Sequence, residues 1–366
     1  MKTLKVLFDI SMLYIDSLNK RGIYYFTFNL LKHLSRYSDS IRIIKYPLTK
    51  FAGLDDIINI PISISTFVKE LNRYNPDLIF IPHPRTYVHA FTPLLVSKPT
   101  NIVIHDVHFF ISSVSIFYKF KLLPKYLFIE EIINVRDDVM LTTVSNFSKL
   151  AISHHLNIDP SRIIVIYPGI EEVFKPINRQ EAKQYVEEKY GIHKRYLIYS
   201  GVISRNKGVY DLTRAFYRLP ELTKDCMLVL TGPLEEPEIL RVISKADSVK
   251  YLGFVPRTDL PFLFSGAVTF VYPSYHEGFG FPPLEAAACG TPVIVSRIPV
   301  FLETLSNAAF FVEAGNIEQL ADAISIIVNN EDPRMKLSQQ AFRRARMFSW
   351  ENTAKRYIKL WLEMIK

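Results

Sequence analysis

Two glutamates eight positions apart, Glu277 and Glu285, stand in the segment PSYHEGFGFPPLEAAACGTPVIVS (273–296). An apolar, strand-like run leads into it. Between the acids lie Gly278 and Gly280, then Pro282 and Pro283. Glycines at such places allow unusual dihedrals and close approach of backbone to a ligand. Prolines suit the first turn of a helix, where a missing N–H costs little. The order therefore predicts a strand, a Gly-rich turn and a new helix, with Glu277 before the turn and Glu285 inside the helix. Backbone donors at a helix start favour phosphate, and carboxylates accept hydrogen bonds from sugar hydroxyls. The two acids can hold different parts of an extended ligand, with a diphosphate on the amides between them. Singly, Glu277 reads as a solvated carboxylate and Glu285 as a partner of the helix dipole. The whole segment points to binding chemistry.

His105 closes the run NIVIHD (101–106) and is followed by Asp106. The C-terminal ends of strands are where open α/β sheets bind ligands, although an isolated histidine there is more often structural. Other chemistries have little footing. The chain has no HExxH, paired CxxC or GxSxG elbow, and no GxxxxGK[ST] phosphate loop. Its first strand lacks a GxGxxG fingerprint, which argues against a dinucleotide-dependent dehydrogenase. Cys226 and Cys289 are the two cysteines, too few for a disulfide framework or a cysteine zinc site, and a reduced cytosolic setting follows.

These residues need a scaffold. Apolar strand-like runs alternate with longer amphipathic ones over nearly all of the 366 residues. LKVLFDIS (4–11), IRIIKY (41–46), DLIFIP (77–82), NIVIHD (101–106), VMLTTVS (139–145) and RIIVIYP (162–168) form a first series. GIYYFTFNLLKHL (22–34) and a long stretch around 115–136 read as its helices. A second series runs through YLIYSG (196–201), MLVLTG (227–232), VKYLGF (249–254), VTFVYP (268–273), TPVIVS (291–296) and FFVE (310–313). Continuous Val/Ile/Leu runs are those of strands covered on both faces, and strand–helix alternation implies parallel sheets with right-handed crossovers. The expected class is α/β, with two Rossmann-like domains facing a central cleft. The punctuated stretch YPGIEEVFKP (167–176) marks their boundary. The expected division is 1–170, 171–348 and a C-terminal helix over 349–366 that packs back on the first domain. Ser349 would cap that helix, with Trp350, Ala354, Tyr357, Trp361 and Ile365 as its apolar stripe.

The segment EGFGFPPLEAAACGTPVIVS resembles the Glu-x7-Glu signature of family 4 of the retaining glycosyltransferases (glycosyl transferases group 1), which have the GT-B fold. Weaker likenesses follow in the family's order over most of the chain. RGIYYFTFNLLKHL resembles its first loop and helix, and IHD its histidine turn. TVSNFSK (143–149) with VIYPGIEEVF (165–174) is similar to the run into the linker, and SGVISRNKG (200–208) to the phosphate-binding loop. The resemblance implies a metal-independent enzyme that moves a hexose from a UDP- or GDP-linked donor to a hydroxyl of a glycan or lipid-linked acceptor. The style of the segment leans to mannosyl donors. It places Glu277 at the transferred sugar, Glu285 at the donor ribose, and the amides of Gly278, Phe279 and Gly280 at sugar and phosphate. Gly201 and Lys207 fall in the phosphate loop, where Lys207 would neutralise the leaving diphosphate, a stabilisation of charge developing in the transition state. Relatives add an arginine where this chain has Val202 or Asn206, so Arg205 is the nearest second cation. Gly22, after Lys20 and Arg21, would let backbone amides approach the donor phosphate. His105 would contact the sugar or assist proton transfer. No cofactor is implied beyond the nucleotide-sugar co-substrate, and closure would exclude water.

The net charge of +8 is uneven, with 19 basic and 13 acidic residues over 1–170 against 25 and 23 in the remainder. A basic first half suits anionic lipid, nucleic acid or phosphorylated substrate. FFISSVSIFYKFKLLPKYLF (109–128) places Lys119, Lys121 and Lys125 among aromatic and aliphatic residues. That composition permits peripheral contact with an anionic membrane, and core packing with a solvated face accounts for it too. No apolar run approaches the ~18 residues of a spanning helix, so the expected place is the cytoplasm, with possible contact at the inner membrane face. Two other readings stay open. One is a nucleotide-sugar epimerase or hydrolase on the same architecture. The other is a basic non-catalytic protein binding nucleic acid or membrane, which leaves the Glu-turn-Glu segment unexplained and lacks an RNP-type motif or zinc finger.

Overall fold

The computed structural model describes residues 3–14, 22–46, 49–50, 60–61, 69, 71–84, 92–107, 116–239, 243 and 247–366. Two compact units make up the chain: 1–169 with 349–366, and 170–348.

In the first unit, short β-branched and aliphatic runs become the strands β1 (Leu4–Asp9), β2 (Ile41–Tyr46), β3 (Leu78–Ile81), β4 (Thr100–Val103), β5 (Val139–Thr143) and β6 (Ile163–Val165). They form one sheet in the order β2-β1-β3-β4-β5-β6, every pairing parallel. The helices α1 (Gly22–Leu34), α2 (Ile116–Val135) and α3 (Asn146–His155) belong to this unit. Parallel strands need such crossovers, and the crossovers cover the sheet faces. Ile79, Ile81, Ile102, Ile129, Leu141 and Ile152 meet in its core, each fully buried aliphatic side chain contributing ~1.5–3 kcal/mol over exposure.

The second unit repeats the plan with β7 (Arg195–Ser200), β8 (Cys226–Thr231), β9 (Val249–Tyr251), β10 (Thr269–Tyr272), β11 (Val293–Ser296) and β12 (Phe310–Val312). Its order is β9-β8-β7-β10-β11-β12, again all parallel. The chain lays down β7, β8 and β9 in one direction, then returns to start β10 on the other side of β7. The loops leaving β7 and β10 therefore diverge at a topological switch point, the place where open α/β sheets bind ligands. Helices α4 (Arg179–Tyr190), α5 (Val209–Tyr217), α6 (Leu260–Gly266), α7 (Phe281–Ala288), α8 (Ile317–Asn329) and α9 (Glu331–Ala345) are among those of this unit, with shorter ones over Pro220–Asp225 and Pro299–Leu305.

The last helix, α10 (Trp350–Met364), belongs to the first unit. Ser349 caps it, its side-chain oxygen accepting from the Asn352 amide. Trp350, Ala354, Tyr357 and Trp361 are buried. Trp361 packs on Phe80 with ring centroids 5.0 Å apart, and its Nε1–H donates to Asn101 Oδ1 at 3.1 Å. Ile365 departs from the expected stripe: it lies beyond the helix end and is exposed, whereas Ile358 and Leu360 are buried. Gly169 makes the crossing possible, since a Cβ there would stand 2.0 Å from the Trp350 amide nitrogen. Among the described residues, no helix is long and apolar enough to cross a membrane.

Candidate functional site

Lys207 and Glu277, 70 positions apart in sequence, meet at the switch point of the second unit, Nζ to Oε1 at 2.7 Å. Their loops are locked together by glycines. Gly201, just after β7, leaves room that a Cβ would take from the Tyr199 hydroxyl at 3.0 Å and the Tyr272 ring at 3.1 Å. Gly208 has φ +69°, and a Cβ there would lie 2.0 Å from the Pro273 carbonyl oxygen. The turn Arg205–Lys207 is thereby pressed against the exit of β10, and Lys207 points at the acid that follows it. The Tyr275 amide donating to Asn206 O at 3.0 Å and the Tyr275 hydroxyl on Asp211 at 2.6 Å hold the same two loops.

Around this pair, Lys207 Nζ also donates to the His276 carbonyl at 3.2 Å. An ammonium has three hydrogens, so one remains for an anion. Ser274 Oγ lies 3.0 Å from Glu277 Oε1. Beneath them Tyr199 and Tyr272 stack with centroids 5.2 Å apart, and Tyr199 donates to Val202 O at 2.7 Å. Burial, reinforced by the Glu277 charge, pushes both phenols well above their ordinary range. They serve as neutral donors, not as bases.

Glu277 precedes the turn and Glu285 sits in α7, with Pro282 and Pro283 in the first turn. Gly280 is the N-cap, at φ +89°, and no side chain caps the helix. Its missing Cβ accommodates Phe301, whose Cε1 would be 2.5 Å away. The Phe279 ring is buried against Phe281 and Phe348, so only its backbone is a candidate for ligand contact. Glu285 is buried, and its Oε1 accepts from an Arg257 nitrogen at 2.6 Å. Burial raises its pKa, opposed by the neighbouring Arg257 charge.

Arg205 turns elsewhere. Its exposed guanidinium lies 3.3 Å from Glu236 and over the Tyr210 ring. Among the described residues, the cation beside Glu285 is Arg257. Nothing in the sequence flags it, because an arginine in a short polar turn reads as solvated. Ser274 lies inside the Glu segment and Tyr272 just before it, and neither residue type marks a site by itself.

In the first unit, His105 follows β4 by two residues and is buried. Its Nε2–H donates to the Pro82 carbonyl at 2.9 Å, and its ring meets Phe26 edge-on at 4.6 Å. The carbonyl partner places the proton on Nε2 and leaves the lone pair on Nδ1. Burial lowers its pKa, with the Pro82 bond and Asp106 acting the other way, so the ring is neutral near pH 7. Gly22 opens α1, while Lys20 and Arg21 lie outside the described residues. Of the basic segment 109–128, residues 109–115 and the side chains of Lys119 and Lys121 also lie outside them. Lys125 is buried, 4.4 Å from the centroid of the Tyr126 ring, and so presents no charge to a surface.

Residues 183–344 match the family model described as Glycosyl transferases group 1. O-antigen chain mannosyltransferase B of Escherichia coli is 29% identical over 219 residues, covering 58% of either chain. O-antigen chain mannosyltransferase RfbU of Salmonella typhimurium is 31% identical over 255 residues, 65% of either chain. The chain thus matches 58% and 65% of the length of these relatives. The solved structure of Anabaena HepE in complex with UDP-glucose superposes with a TM-score of 0.78, covering 98% of this chain and 99% of its own at 18% identity. Two parallel six-stranded Rossmann-like sheets with this likeness are the GT-B fold.

Proposed function

From a chain that carries a glycosyl transferases group 1 domain on a GT-B fold, we propose a retaining hexosyltransferase. It takes a sugar, mannose in preference, from a nucleotide-diphosphate donor to a hydroxyl of a glycan or lipid-linked acceptor, without a catalytic metal. One observation carries the reading: the Lys207–Glu277 pair at the switch point, bounded by an uncapped helix start and by Glu285.

Breaking the bond between sugar and diphosphate shifts negative charge onto the leaving phosphate. To that charge we assign the spare Lys207 hydrogen and the amides at the start of α7, and preorganised donors of this kind typically contribute ~3–4 kcal/mol each. Glu277, held by Lys207 and Ser274, accepts from hydroxyls of the transferred sugar. Glu285 accepts from the ribose. The leaving phosphate takes the acceptor proton on the face it departs from, which preserves the anomeric configuration. His105, neutral and with Nδ1 as acceptor, is assigned to the sugar or acceptor hydroxyl. The mannosyltransferase names of the two bacterial relatives favour a GDP-linked donor, while the HepE complex holds UDP-glucose.

Thermal-shift screening against UDP-, GDP- and ADP-sugars tests this directly. A shift with one nucleotide series, followed by transfer to an added acceptor with the α or β configuration of the donor retained, is expected. No shift with any of them refutes the reading. Donor consumption independent of acceptor would make the protein a hydrolase or epimerase.

A further inference from the structure

Arg257 stands outside every motif named above, in the turn between β9 and α6. A single nitrogen of its guanidinium donates to two carboxylates, Glu285 Oε1 at 2.6 Å and, closer still, Glu171 Oε1. The guanidinium carbon Cζ lies over the Phe174 ring, 4.8 Å from the centroid. Side-chain exposures are 20% for Arg257, 20% for Glu171 and 7% for Glu285, so the cluster is largely out of water. Three elements converge here: the segment at the start of the second unit, the turn before α6, and α7. Cys289, the C-cap of α7, is a further titratable group beside Glu285 among the described residues, and burial keeps its thiol protonated.

A buried carboxylate without a partner neutralises itself by taking a proton. It then loses acceptor capacity. Arg257 opposes that outcome for Glu285, while Glu171 competes for the same nitrogen and adds a like charge. The Phe174 ring restrains the guanidinium through a cation–π contact, and its shared nitrogen holds Glu285 Oε1 in place.

We propose that Arg257 is a positioning residue of the nucleotide site: acting through Glu285, it holds that carboxylate as an acceptor for the vicinal hydroxyls of the nucleotide ribose, and Glu171 is dispensable for this. The inference rests on the nucleotide-sugar reading. Its test is calorimetric titration with UDP and with GDP at pH 6 and pH 8, using wild type, Arg257→Gln, Glu171→Gln, Glu285→Gln and the Arg257→Gln/Glu285→Gln double variant. Hydrogen bonds to charged groups contribute ~1.5–3 kcal/mol, so Arg257→Gln should weaken the bound nucleotide at least ~10-fold, and more at pH 6 than at pH 8. Glu171→Gln should stay within ~2-fold, since it removes the competitor for the Arg257 nitrogen and leaves the Arg257–Glu285 pair in place. The double variant should bind like Glu285→Gln alone, because groups acting as one unit are not additive.

Wild-type affinity in Arg257→Gln overturns the proposal. So does an equal loss in Glu171→Gln, which would make Arg257 a structural clamp on the 171–174 segment, or a further loss in the double variant. Melting temperature against pH separates failure of the premise. With Arg257 gone, Glu285 costs most when ionised, so Arg257→Gln should regain stability on acidification and the double variant should not. That signature without nucleotide binding in wild type would refute the nucleotide reading, and the ribose role with it, while leaving Arg257 in control of the Glu285 charge. Its absence would refute the coupling itself.

Discussion

Gly208→Ala should disable the candidate site through the backbone alone. Gly208 holds φ +69°, and its missing Cβ would overlap the Pro273 carbonyl oxygen at 2.0 Å. An L-residue in the left-handed region costs ~1–2 kcal/mol. The overlap adds to that, because the obstacle is main chain and cannot rotate aside. Gly253 provides the control: its φ is +68°, and nothing lies within 4 Å of the position of its Cβ. Gly253→Ala therefore bears the dihedral strain without the collision. For a body of this size each kcal/mol lowers the melting temperature by ~2–4 °C, so Gly253→Ala should lose ~2–8 °C. Gly208→Ala should lose several degrees more and should also bind nucleotide more weakly, because relief of the clash carries Lys207 away from Glu277. Scanning calorimetry and nucleotide titration on both variants read the two effects. Equal melting temperatures, or unchanged nucleotide affinity in Gly208→Ala, would refute the view that this contact sets the position of Lys207.

Lys207→Met should reduce turnover ~100- to 1000-fold, as for other preorganised donors to a developing negative charge, and a chelator added to wild type should leave turnover unchanged; steady-state kinetics with the best donor checks both. Trp361→Ala should destabilise the first unit by ~3–5 kcal/mol, whereas Trp361→Phe should cost ~1–3 kcal/mol for the orphaned Asn101 acceptor, measured by denaturant unfolding. His105 has a folded pKa below its unfolded value of 6.5, so its contribution to stability is present above pH 6.5 and lost as pH falls through the folded value. Melting temperature should therefore drop more steeply between pH 7 and pH 5 in wild type than in His105→Gln, and parallel curves would remove His105 from the account.

Much of the scaffold is local in origin. A run such as VTFVYP carries its own strand propensity and, by holding no charge and little polar surface, announces cover on both faces. GFGFPPLE announces a turn and a helix start because Gly and Pro act through their own dihedrals. The cap at Ser349 and most of the α10 stripe follow likewise from spacing. Ile365 does not, since helix length is ended by packing and not by pattern.

What the residues could not declare on their own is which distant charges would be neighbours. Arg205 and Lys207 share one turn, yet only Lys207 reaches Glu277, because Gly208 docks on Pro273 and Glu236 claims Arg205. Arg257 becomes the companion of Glu285 through strand order, which returns the chain to the far side of β7 and sets α6 and α7 in one layer. Periodicity and turn chemistry are written over a few consecutive residues, so the sequence alone established the elements and the type of ligand they suit. Ion pairs across 28 or 70 positions exist only after those elements pack, since Coulomb energy depends on final separation and burial, and neither is a property of any single segment.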